Sequence, residues 1–322
     1  MGAMMPNKKR SLGEYAYLIF TGAAMGSADV VPGVSGGTMA FILGVYEELV
    51  NTIKSVNLRL FGLLIRLRIQ EAVEHVNLKF LVSLGSGLLA AFISLAHVIG
   101  WLLDHYPVPL FSFFFGLIAA SVIAVGMHVR WNAVMVAAMA AGAVFVYSLV
   151  GLIPMDMPHD PFTLFYSGAL AITAMILPGI SGAFILLVLG QYEFLINSIR
   201  TMDLIGIMPM VIGMVAGIML FARILSWLLK NYHQITITLL VGFMLGSLRR
   251  IWPFKEVVET RIDRHGDIVP AVYNNVLPDL TSGVFWISLA LCLAGFLLIS
   301  MLDHFRTGNN PIACMVMRRR DM

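Results

Sequence analysis

Residues 29–46 read DVVPGVSGGTMAFILGVY, and residues 175–192 read MILPGISGAFILLVLGQY. Both set Pro-Gly-x-Ser-Gly inside an apolar stretch, and only the first carries an acid, Asp29, shortly before its proline. A proline has no amide hydrogen and cannot continue a helix, and the glycine after it lets the chain turn. Ser35 and Ser181 then stand where a side-chain oxygen caps the helix that follows. In hydrocarbon an unpaired backbone group costs several kcal/mol, so such a break persists only inside protein or around a polar cavity. The new helix start offers free N–H groups and about half a positive charge. Two such starts facing one another would hold an anion, phosphate above all. The binding residues would be Pro32, Gly33, Ser35, Gly36, Gly37 and Thr38 in the first copy, with Pro178, Gly179, Ser181 and Gly182 in the second. A structural kink that only lets helices pack closely would use the same small residues. Their recurrence in matched positions favours a binding site.

Ionisable residues in the apolar stretches come next. A carboxylate at membrane depth costs about 2.5–3.5 kcal/mol on insertion scales, so Asp29 is expected to have a task or a partner. Beside a bound anion it must pair with a cation or take up a proton; the candidates are Arg223, a proton and sodium, and either of the last two would make Asp29 a coupling residue. Arg223, in LFARILSWLLK, lies in mid-crossing about one turn from Trp227, where snorkelling explains it poorly. It is the expected counter-charge for the anion. His97 is its counterpart under the repeat described below, and packing explains that histidine as well as function does. Glu47 and Glu193 follow the two serines by 12 residues each, about 18 Å along a helix. They either line the site or sit at the water interface, and Gln191 is expected to line the same cavity.

The elements that position these residues are duplicated. Aligning Pro32 with Pro178 sets an offset of 146 residues, which also matches Gly22, Gly44, Tyr46, Glu47 and Asn51 with Gly168, Gly190, Tyr192, Glu193 and Asn197. Further on, at an offset of 126, WLL at 101–103 matches WLL at 227–229, and Gly116 and Ser121 match Gly242 and Ser247. Chance rarely aligns so many such residues. The first repeat covers 1–153, with an extra segment at about 55–78, and the second covers 154–322, with a polar loop at about 249–282.

The chain is 59% apolar and 12% charged, which makes it an all-α polytopic membrane protein. Apolar runs near 80–103, 108–127, 131–153, 206–229 and 283–302 approach or exceed the roughly 20 residues of a span, and 234–248 falls a little short. Each repeat thus reads as a helical hairpin broken at its Pro-Gly tip, followed by three crossings. The hairpin adds two spans or none, so the parity is odd and the second half is inverted, as in many secondary transporters. The arm at 162–176 reaches only about 22 Å at 1.5 Å per residue, which favours re-entry, while the arm at 35–53 is longer.

Basic KKR at 8–10 and RRR at 318–320 place both termini in the cytoplasm. Segment 55–78 then also lies inside, its Arg59, Arg66 and Arg68 among Leu and Ile suggesting an interfacial amphipathic helix on anionic lipid. The five basic residues of the 249–282 loop run against this orientation, although five acids accompany them. Cys292 and Cys314 lie far apart and suggest neither a disulfide framework nor a metal site. No cleavable signal peptide, nucleotide, haem or zinc motif stands out, so no cofactor is expected. The net charge of +3 is too small and scattered for nucleic acid.

With ADVVPGVSGGTMAFILGVYEEL and its echo LPGISGAFILLVLGQYEFLI in hand, the chain resembles a bacterial family linked to polyprenyl-phosphate transport, over essentially its whole length. The resemblance implies return of undecaprenyl phosphate, the lipid carrier of envelope polymers such as peptidoglycan, from the outer to the inner leaflet of the cytoplasmic membrane. It implies motif roles for Pro32, Gly33, Ser35, Gly36, Pro178, Gly179, Ser181 and Gly182. Two other readings stay open. Membrane undecaprenyl-diphosphate phosphatases also have inverted repeats, but with Pro-Gly-x-Ser-Arg-Ser and paired glutamates. Here Gly36 and Gly182 follow the serines, and no Glu-x-x-x-Glu precedes either tip. A transporter of a small ion would need no lateral opening to lipid.

Overall fold

The computed structural model describes residues 10–31, 34–152, 155, 157–262 and 268–307. Pro32 and Gly33 therefore lie outside the described residues. The first hairpin runs up α1 (Leu12–Val30) and continues, past the tip, in α2 (Gly36–Ile42) and α3 (Tyr46–Lys54). Two short helices, α4 (Leu58–Ile65) and α5 (Ile69–His75), precede the long α6 (Leu78–His105), α7 (Pro107–Gly126) and α8 (Ala133–Leu149). The second hairpin comprises α9 (Pro161–Ile176), α10 (Gly182–Val188) and α11 (Tyr192–Arg200), followed by α12 (Met208–Asn231) and α13 (His233–Ile251). An antiparallel β-hairpin, β1 (Lys255–Ile262) with β2 (Ile268–Asn275), leads to α14 (Gly283–Thr307).

Among the described residues α6, α7, α12, α13 and α14 are long and apolar enough to cross a membrane. The run at 234–248 does reach span length, because the helix extends to 19 residues. The run at 131–153 gives only 17, because Asn132 is extended and caps α8 by accepting from the Met135 amide at 2.9 Å.

Three local features differ from expectation. The arm at 35–53 is two helices, and so is its equivalent, where α10 and α11 meet at 107°. Gly44 (φ 71) and Gly190 (φ 69) end the first helix of each pair in the left-handed conformation. The Val45 amide donates to the Ala40 carbonyl and Gln191 to Leu186, while Gly44 and Gly190 donate to Phe41 and Leu187. Those are the paired bonds of a glycine-terminated helix end. Segment 55–78 forms two helices joined at a corner rather than one. The polar loop at 249–282 contains the β-hairpin, whose first strand draws on the β-branched run VVETRI.

The chain divides into two compact units, one of residues up to Ile99 with Met155–Thr236, the other of Gly100–Pro154 with Ile237 onward. The first unit thus holds α1 to α5, most of α6 and α9 to α12, and the second holds α7, α8, most of α13 and α14.

Within the first unit, α1 lies against α6 so closely that a Cβ on Gly22 would be 1.9 Å from the Leu84 carbonyl oxygen, and one on Gly87 1.9 Å from that of Ile19. Between α9 and α12 the same contacts recur at Gly168 with Met210 (2.1 Å) and Gly213 with Phe165 (1.9 Å). The sequence offsets carry each of these four residues in repeat one onto its counterpart in repeat two. In the second unit the repeats exchange partners. Gly116 of α7 meets Cys292 of α14 and Gly295 meets Phe113, while Gly242 of α13 meets Met139 of α8 and Gly142 meets Leu239. Small residues at helix crossings let backbones approach, which gives packing contacts where lipid supplies no hydrophobic drive. Glycines matched by the sequence offsets thus make matched helix contacts.

Candidate functional site

Inside the first unit the two tips touch. Ser35, 1% exposed, is the N-cap of α2: its backbone is extended and its Oγ accepts from the Gly37 amide at 3.2 Å. The same hydroxyl donates to the Met175 carbonyl across the interface at 3.4 Å. The Gly179 amide donates to Thr38 Oγ1 at 2.8 Å, and Thr38 is fully buried. Gly37 makes the approach possible, since a Cβ there would lie 2.7 Å from the Ile176 carbonyl oxygen. Gly179, at φ 85, turns the second tip. Ser35 and Ser181 are the N-cap residues of α2 and α10.

The two starts differ chemically. On the last turn of α1, Asp29 Oδ1 accepts from the Gly36 amide at 2.7 Å. A built-in carboxylate thus occupies the positive end of α2, where an acid is favoured. Met175 holds the equivalent place in the second copy and packs its Cβ 3.2 Å from a Cβ added to Gly182, as Asp29 packs on Gly36. Ser181 is the N-cap of α10, yet its hydroxyl makes no capping bond. Among the described residues no acceptor meets the Gly182 or Ala183 amide. One tip is closed by its own acid, and its twin is open.

The structure gathers Asp29, Ser35, Gly36, Gly37, Thr38, Met175, Gly179 and Gly182, with Pro178 and Ser181 in the second tip loop. It sets the remaining candidates apart. Arg223 is exposed on α12 and, among the described residues, bonds to neither tip. Ser226, one turn on, faces α3 instead, accepting from Lys54 Nζ at 3.0 Å and donating to Asn51 Oδ1 at 2.8 Å. His97 is likewise exposed. Glu47, about half exposed, lies 3.6 Å from His233 Nδ1 at the far end of its hairpin. Glu193 is half-buried on α11. Gln191 is fully buried at the α10–α11 elbow rather than at the tips. It donates to the carbonyls of Met157, Pro158 and Leu189, and its Oε1 meets His159 Nδ1 at 2.8 Å. Its role there is to tie down the chain leading into α9.

A second polar cluster went unread in the sequence. Arg10 forks onto both oxygens of Glu48, Asn77 donates to the same carboxylate at 2.8 Å, and the guanidinium lies 5.5 Å from the centre of the Phe80 ring. The cluster ties the starts of α1 and α6 to α3, so the first hairpin is pinned at its base. A basic residue just before a helix start and an acid in the YEE run were the available signals. At the exposed start of α9, Asp160 accepts from the Phe162 and Thr163 amides and the Thr163 hydroxyl. Those bonds to Thr163 hold its carboxyl below the usual carboxylate range.

A family model described as undecaprenyl phosphate translocase-like matches residues 25–269, which include both tips. A polyprenyl-phosphate transporter of Vibrio cholerae is 39% identical over 298 residues, 90% of this chain and 97% of that protein. One of Staphylococcus aureus is 29% identical over 255 residues, 73% of this chain and 85% of that protein. No solved structure matches the chain.

Proposed function

The chain belongs to the undecaprenyl phosphate translocase-like family, and from that premise we propose that it carries undecaprenyl phosphate from the outer to the inner leaflet of a bacterial cytoplasmic membrane. The family and the two relatives are named for transport rather than for an enzymatic reaction. The headgroup phosphate sits at the paired tips while the polyprenyl tail stays in the bilayer. The observation that carries this reading is the direct meeting of the tips through Ser35 with Met175 and Thr38 with Gly179. Irregular backbone at membrane depth is tolerated where it is enclosed by protein, and transporters place substrate sites at such helix breaks. The hairpins re-enter, the second repeat is inverted, and both termini face the cytoplasm.

The asymmetry of the tips assigns roles. The open amides of Gly182 and Ala183, with Ser181, receive phosphate oxygens first. Asp29 must give up the Gly36 amide before the first tip can join, since a carboxylate and a phosphate side by side repel. A proton or a sodium ion at Asp29 removes that repulsion, which couples transport to an ion gradient. Arg223, exposed on α12 in this conformation, meets the phosphate on its way to or from the tips. Leaflet-resolved transport of labelled undecaprenyl phosphate in proteoliposomes, with and without proton and sodium gradients, tests the proposal. Movement that a gradient accelerates supports it, and phosphate release from undecaprenyl diphosphate without lipid movement would replace it by a phosphatase.

A further inference from the structure

The segment between α3 and α6 has no part in the tips. Its two helices, α4 and α5, are joined through Ile65-Arg66-Leu67-Arg68-Ile69, in which apolar and basic residues alternate. Leu63, Ala72 and Val76 are buried. The corner itself points outward, with Ile65 83% exposed, Leu67 81% and Ile69 53%. Leu67 holds a φ of 54°, the left-handed conformation that a bulky side chain rarely adopts. Strain that displays a leucine to water is unfavourable twice over, so its surroundings must compensate.

Connectivity identifies those surroundings. α5 ends at His75 and the membrane-length α6 begins at Leu78. The seven residues of α5 span only about 10 Å, so the corner is held close to the bilayer surface from which α6 sets out. Charge agrees. Arg59, Arg66, Arg68 and Lys79 are all exposed, and of the facing acids Glu71 is already 2.8 Å from Arg68, which leaves Glu74.

We infer that the α4–α5 corner is an anchor on anionic phospholipid: Ile65, Leu67 and Ile69 enter the headgroup–acyl boundary, and Arg59, Arg66 and Lys79 hold lipid phosphates around them. The site binds the bulk leaflet rather than the transported lipid, so it stands or falls independently of the transport proposal. It also fixes the base of the first hairpin, since α3 and α6 flank the segment in the chain.

The test uses the full chain with Cys292 and Cys314 replaced by serine and Leu67→Cys carrying an environment-sensitive fluorophore. The protein is reconstituted into phosphatidylcholine vesicles with or without phosphatidylglycerol. The label should be quenched by lipids bearing a shallow acyl-chain nitroxide and shielded from aqueous iodide, more so with phosphatidylglycerol. Arg59→Gln, Arg66→Gln and Lys79→Gln together should abolish the phosphatidylglycerol-dependent part; all three side chains are exposed, so folding is undisturbed. Each charge near the surface is worth about a fivefold change in lipid partition at low salt. Strong iodide quenching in both vesicles, or a label depth indifferent to phosphatidylglycerol and to the three substitutions, would overturn the inference.

Discussion

Replacing Asp29 by asparagine or by methionine separates its structural from its functional task. The asparagine would keep an oxygen for the Gly36 amide, now 2.7 Å from Asp29 Oδ1, and would remove the charge and the proton. Two effects oppose each other in that variant: a bond to a charged acceptor exceeds a neutral one by about 1 kcal/mol, while relief of a buried charge works the other way. Its stability should stay within about 1 kcal/mol of the parent. Asp29→Met copies residue 175 and leaves the Gly36 amide without its acceptor, a loss of about 1–3 kcal/mol. For a body of 150–250 residues each kcal/mol lowers the melting temperature by roughly 2–4 °C, so Asp29→Met should melt several degrees below Asp29→Asn. Thermal unfolding in detergent reads this difference. In proteoliposomes Asp29→Asn should bind the phosphate lipid as well as or better than the parent and lose gradient-driven transport. Parental transport by Asp29→Asn under an imposed gradient would refute the coupling role and leave Asp29 a cap. Equal melting of the two variants would refute the cap.

Gly37→Ala drives a methyl against the Ile176 carbonyl. It should lose about 1–3 kcal/mol by overpacking and most transport with it, checked by unfolding and flux on the same preparation. Ser35→Ala should cost about 1 kcal/mol as a lost cap, whereas Ser181→Ala, whose hydroxyl caps nothing, should leave the melting temperature unchanged and weaken lipid binding. In the second unit, burial and the neighbouring Arg250 push Lys255 down to about 8, where Nζ donates to the Arg250 carbonyl and lies 4.7 Å from the Phe111 ring centre. The unfolded chain holds that proton up to its ordinary value of 10.5, so stability should rise with pH between about 8 and 10. Melting curves across that range should rise less for Lys255→Met than for the parent.

The fold was legible where repetition and helix chemistry leave marks. Pro32 with Pro178 and Gly22 with Gly168 aligned the halves, and the close approaches at Gly22, Gly87, Gly168 and Gly213 show why glycine recurs there. Gly44 and Gly190 were aligned, yet their meaning as helix ends was missed, because an apolar run gives no hint that it bends. The β-hairpin hid in a charged stretch whose composition reads as loop. At the site, local chemistry was readable: Ser35 after Pro-Gly caps a helix, and a half-buried acid finds a donor. Long-range contacts were not. Arg223 was expected beside the anion because its place in mid-crossing does not say which face of α12 meets protein and which is exposed. Gln191 was expected to line the cavity, and only the path of residues 157–159 brings the carbonyls of Met157 and Pro158 and the His159 ring to it.

Photolabelling tests most directly whether the joined tips hold the lipid's phosphate. Undecaprenyl phosphate carrying a diazirine beside its phosphate would be irradiated with the full chain in vesicles, and the labelled peptides mapped by mass spectrometry. Labels concentrated on residues 35–38 and 178–183, and displaced by unlabelled undecaprenyl phosphate but not by undecaprenol, are the expected result. Competable labelling confined to the exposed face of α12 around Arg223, with none at either tip, would contradict it.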